Sequence, residues 1–66
     1  MTVTINGQPR ELPAPLTIAA LLQTLEIQPR ATAVEVNLQL VPRARHEEHV
    51  LADGDRLEII KLVGGG

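Results

Sequence analysis

The stretch Leu16-Thr17-Ile18-Ala19-Ala20-Leu21-Leu22-Gln23-Thr24-Leu25 carries the clearest periodic signal in the 66-residue chain, and its reading decides the fold class. Ile18, Leu21, Leu22 and Leu25 stand at i, i+3, i+4 and i+7, so a helix places all four on one stripe. Thr17 fits the N-cap, where a side-chain oxygen accepts from an otherwise orphaned amide, and Leu16 before it can staple onto Leu21. Pro29 pushes Gln28 out of the α region, which ends the helix near Leu25 to Ile27. A single amphipathic helix needs a sheet to cover its stripe.

Working outward, strands flank the helix on both sides. Thr2-Val3-Thr4-Ile5 alternates polar and β-branched residues, Asn6-Gly7 offers the two positive-φ residues of a type I′ turn, and Gln8 to Leu12 returns as a hairpin. Pro9 cannot donate a ladder hydrogen bond, so that second strand belongs at the sheet edge, with Val3, Ile5 and Leu12 facing inward. Pro13-Ala14-Pro15 is a stiff connector. Beyond the helix, Ala33 to Val41 alternates through Leu40, a pattern that suits either one strand or a strand, a tight turn at Asn37 to Gln39, and a short return. Arg43 to His49 reads as a solvated polar turn, and Asp53-Gly54-Asp55 as a tight turn with Gly54 left-handed. Arg56 to Val63 is a last strand rich in branched aliphatics. This order predicts an α+β domain over residues 1–63: a mixed sheet with one main helix across one face, and the first and last strands parallel at its centre. Gly64 to Gly66 form a tail.

Composition narrows the function. A chain this short buries only about 60% of the surface its unfolded form exposes, so it holds one domain. At 44% hydrophobic and 21% charged it is too apolar to be disordered. It has no Phe, Trp, Tyr or Cys. Aromatic platforms for single-stranded nucleic acid, disulfides, thiolate metal sites and thiol nucleophiles are all excluded. Six Lys and Arg against eight Asp and Glu give a net charge of −2, which offers no basic footprint for nucleic acid or anionic lipid. With no signal-peptide pattern and no long apolar run, a cytoplasmic protein with protein partners is expected.

Two polar motifs and one glycine run bear on chemistry. His46-Glu47-Glu48-His49 lacks the four-residue His spacing of a zincin helix and has no third ligand nearby. Asp53-Gly54-Asp55 lacks the other ligands of a calcium loop. No nucleophile is paired with a base, so no catalytic residue and no metal site is assigned. Gly64-Gly65-Gly66 differs in kind, because three glycines cost the most entropy to order and add nothing to packing. Without side chains they suit a narrow slot. Their one reactive group is the Gly66 α-carboxylate, which is ionised at neutral pH and a poor electrophile. It needs activation from outside, which an ATP-using partner could supply by making it an acyl adenylate. The last strand adds a docking face: Leu57, Ile59 and Val63 share one parity, so Ile60 and Leu62 are left on the uncovered face.

The combination of Val36-Asn37, Leu40-Val41-Pro42-Arg43, His49-Val50, Asp53-Gly54-Asp55 and terminal Gly65-Gly66 resembles the ThiS family, sulfur carriers of thiamine biosynthesis with a ubiquitin-like β-grasp fold. The resemblance covers the whole chain and favours the turn at Asn37 to Gln39. It implies that Gly66 is adenylated by an E1-like adenylyltransferase (ThiF) at the expense of ATP, the carrier itself binding no cofactor. It implies further that Gly66 becomes a thiocarboxylate with sulfur from cysteine by way of a desulfurase persulfide, and that thiazole synthase (ThiG) receives the sulfur. His46 departs from the aromatic residue many members carry there, and no role transfers to it. Two neighbours share the terminal logic: the small subunit of molybdopterin synthase (MoaD-like), whose members tend to carry aromatic residues before the glycines, and ubiquitin-like protein modifiers. A β-grasp RNA-binding module would need a basic surface.

Overall fold

Thr2–Ile5 (β1) and Gln8–Glu11 (β2) pair antiparallel around Asn6 and Gly7, whose φ of 50° and 84° are the left-handed pair the hairpin needs. The computed structural model describes residues 1–62. After β2 come the helix α1 (Ile18–Thr24), a 3₁₀ turn at Pro29–Ala31, strands β3 (Thr32–Val36) and β4 (Gln39–Val41), a second 3₁₀ turn at Arg43–Arg45, and strand β5 (Arg56–Lys61). The sheet order is β2-β1-β5-β3-β4. β1 and β5 are parallel and β5 is central, while Pro9 sits on the edge strand β2, as its missing N–H requires. This is the expected mixed sheet with one helix on one face, a β-grasp.

The core is aliphatic throughout. Ile18, Leu21 and Leu22 of α1 are fully buried and meet Val3, Val34, Leu51 and Leu57, while Leu16, Leu25 and Ile59 pack partly buried against them. Each fully buried side chain contributes about 1.5–3 kcal/mol, which lets a chain without aromatics or disulfides hold together.

Both ends of α1 are closed by hydrogen bonds. At the start, the Thr17 hydroxyl accepts from the Ala20 amide at 3.1 Å. At the other end Leu25 caps the helix and Glu26 takes φ 58°. The Glu26 amide then donates to the Gln23 carbonyl and the Ile27 amide to the Leu22 carbonyl at 2.9 Å. That is a Schellman closure with a glutamate in the place usually given to glycine.

One expectation fails. Residues 43–49 are not simply a solvated turn, because His46 is 3% exposed and its Nε2 lies 3.0 Å from the Val41 carbonyl. A carbonyl can only accept, so that nitrogen carries the proton. The cause lies in the first turn of the helix, whose amides have no partner within it. The Ile18 amide donates to the His49 carbonyl at 3.0 Å and the Ala19 amide to the His46 carbonyl at 2.9 Å. Segment 46–49 is thereby drawn against the helix start and the His46 ring turned inward, while Glu47 and Glu48 stay exposed.

The strand pair resolves as two strands. Asn37 and Leu38 take φ of 52° and 69°, and the turn reverses the chain so that Val36 pairs with Gln39. Leu38 is consequently 91% exposed.

Candidate tail-presenting end and docking face

β5 ends at the glycine-bearing segment, and two asparagines help to fix its position. Asn6 extends the short parallel pairing with β1: its Oδ1 accepts from the Ile59 amide at 2.8 Å and its Nδ2 donates to the Ile59 carbonyl at 3.2 Å. Asn37 does the equivalent on the other edge, where its Oδ1 accepts from the Arg56 amide and its Nδ2 donates to Asp55 Oδ1, both at 3.0 Å. Along β3 the antiparallel register runs from Val36 opposite Leu57 to Thr32 opposite Lys61. The Leu62 amide then donates to the Ala31 carbonyl at 2.8 Å.

The faces of β5 divide as its parity predicts. Leu57 is 1% exposed and Ile59 packs against the core, whereas Ile60 and Leu62 are 46% and 54% exposed. Ile60 stands opposite Ala33, and Glu58 opposite Glu35, on the face turned away from the helix. Leu40, opposite Glu35 on β4, adds another exposed leucine to the same side. Its exposed position follows from the strand pair that pattern alone left open. Val63, Gly64, Gly65 and Gly66 lie outside the described residues.

The polar motifs serve the fold. Asp53 Oδ1 accepts from the Thr2 amide at 2.7 Å and Asp55 Oδ2 from the Ala52 amide at 2.8 Å, with Gly54 at φ 88° between them. Both carboxylates therefore bond the fold itself, Asp55 through the Asn37 side chain as well as backbone. Among the described residues no three His, Cys, Asp or Glu side chains are grouped to hold a metal ion. No helix among them is long and apolar enough to cross a membrane. What the described residues provide is a strand bonded on both sides, followed in sequence by a glycine segment and lying beside an exposed aliphatic face.

Comparison with known proteins matches this geometry. The ThiS family profile aligns with residues 3–66. The sulfur carrier protein ThiS of Escherichia coli is 30% identical over 66 residues, covering all of both chains. A thiazole synthase of Paramagnetospirillum magneticum is 42% identical over the same length, and the chain spans 20% of that relative. The crystal structure of the thiamine biosynthesis protein ThiS from Geobacter metallireducens superposes with a TM-score of 0.88 at 30% identity, all of each chain being covered. With the helix, strand order and terminal glycines all accounted for, the chain belongs to the ThiS family of sulfur carriers.

Proposed function

We propose that this chain carries sulfur on the carboxyl group of Gly66 for thiazole formation in thiamine biosynthesis, acting as a co-substrate and not as an enzyme. The observation that carries the reading is the family match that runs through the terminal glycines to residue 66. The carboxylate attacks the α-phosphorus of ATP held by an E1-like adenylyltransferase (ThiF), and pyrophosphate leaves. A persulfide sulfur that originates from cysteine through a desulfurase attacks the acyl carbon and expels AMP. A thiol then cleaves the resulting S–S bond and leaves the thiocarboxylate. Gly64 and Gly65 let the terminus pass a slot too narrow for side chains, and Ile60 and Leu62 dock the carrier on its protein partners. Every cofactor, ATP included, belongs to the partners, and these steps take place in the cytoplasm. The thiazole synthases that contain a homologous segment as a fifth of their length favour thiazole synthase (ThiG) as acceptor over the molybdopterin branch.

The test is intact-mass spectrometry after incubation with the adenylyltransferase, ATP, cysteine and desulfurase. The chain should become heavier by one sulfur less one oxygen, located at Gly66. An unchanged mass beside a demonstrably active adenylyltransferase rejects the proposal. Ile60→Asp and Leu62→Asp should weaken partner binding with the fold intact, and unaltered affinity would remove this face from the interface.

A further inference from the structure

A tail that must enter a partner's active site is aimed by the last hydrogen bonds that tie it to the fold. Among the described residues the last of these is Leu62 N–H to Ala31 C=O, at 2.8 Å. Its acceptor closes the 3₁₀ turn Pro29–Ala31 and is followed directly by Thr32, the first residue of β3, paired opposite Lys61. Thr32 is 8% exposed, and so is one of the few buried polar residues of the described chain. Its hydroxyl lies 3.1 Å from the Pro29 carbonyl and 3.3 Å from the Gln28 carbonyl, while its own amide donates to Pro29 as well. The turn is therefore locked from the side chain of the residue that follows it, and among the described residues no other side chain makes such a link to this turn.

We propose that Thr32 is a positioning residue for the reaction at Gly66: its hydroxyl holds the Pro29–Ala31 turn, the turn fixes the Ala31 carbonyl, and that carbonyl holds the Leu62 amide, the last described tie to the fold before the glycine segment. The inference rests on the carrier reading given above. Four residues, 63–66, follow Leu62. If the clasp opens, Lys61 and Leu62 lose their last tie to β3, and two further residues have to be ordered when the partner takes the terminus. Each added residue must surrender backbone freedom on binding, so the loss falls on capture of the carrier and not on the chemical step.

Thr32→Val keeps the β-branched shape and the strand while it removes the hydroxyl, and Thr32→Ser restores the hydroxyl. Two readouts decide the matter: the ¹⁵N relaxation order parameter of Leu62, and KM and kcat for pyrophosphate release with the adenylyltransferase and ATP. In Thr32→Val the order parameter should fall from the rigid range of about 0.85 toward about 0.6. KM for the carrier should rise by up to about fivefold, the equilibrium equivalent of one hydrogen bond, with kcat unchanged. Thr32→Ser should return both toward wild type. An unchanged order parameter overturns the proposal, and so does a lowered one with KM unmoved, since Thr32 would then stabilise the turn without aiming the tail. A wild-type chain that is not adenylated at all overturns the carrier reading itself, which the order parameter leaves untouched.

Discussion

The two hairpins make the same turn with different residues. Asn6-Gly7 joins β1 to β2 and Asn37-Leu38 joins β3 to β4, with φ of 50° and 84° in the first and 52° and 69° in the second. In both, the asparagine side chain reaches across to β5 and bonds its backbone. They part at the second position. Gly7 adopts its conformation freely, whereas Leu38 holds a left-handed backbone at a cost of about 1–2 kcal/mol and, at 91% exposed, regains almost none of it by packing. The shared asparagine shows what the fold requires of such a turn, and the unshared residue shows what it merely tolerates.

Removing the shared element should have the largest effect. Asn37→Ala loses the bonds to Arg56 and Asp55 together with a side chain that tolerates φ above zero, and should destabilise the protein by about 2 kcal/mol. Asn6→Ala should cost a similar amount through Ile59. Chemical denaturation measures both, and a loss at one turn only would show that the two asparagines are not equivalent. Exchanging the second residues is the next test. Leu38→Gly should stabilise by about 1 kcal/mol and raise Tm by roughly 4–8 °C, and Gly7→Leu should do the reverse. A Cβ at Gly7 would meet nothing within 4 Å, so the effect there isolates backbone strain. Equal and opposite shifts are expected, and a destabilising Leu38→Gly would mean that the exposed leucine makes contacts beyond its own turn. The smallest effect concerns the remaining non-glycine position of this kind among the described residues, Glu26 at φ 58°. Glu26→Gly should raise stability by about 0.5–1 kcal/mol in the same denaturation experiment, because the Schellman closure then loses its strain while the unfolded chain gains some freedom.

The same comparison explains which parts of the fold could be read from the sequence. Gly7 announces the first turn, whereas Leu38 continues the alternation of its strand and hides the second, so residues 33–41 admitted two readings. The helix was legible because its stripe and the Thr17 cap are local. The uncovered positions Ile60 and Leu62 followed from parity and from there being one helix for two sheet faces. His46 was not legible. Its burial is created by amides of Ile18 and Ala19 that lie more than 25 residues earlier in the chain, and no periodicity within Arg43 to His49 records that demand. Thr32 was hidden for a similar reason, since a threonine at the start of a strand looks like any β-branched residue until its hydroxyl is seen to close the preceding turn.

The strand order has a consequence for how the molecule comes into being. β2-β1 and β4-β3 are each local hairpins, and within the sheet they are joined only through β5, which follows both in sequence. During synthesis the two halves of the sheet have no ladder between them until this final strand inserts, so assembly waits on contacts of long sequence separation. In sequence, the glycine segment follows this strand after Leu62 and Val63. On the carrier reading, a partner that recognises the face beside Ile60 and Leu62 would thus find it only on chains in which β5 has inserted, and the topology itself acts as a check on folding.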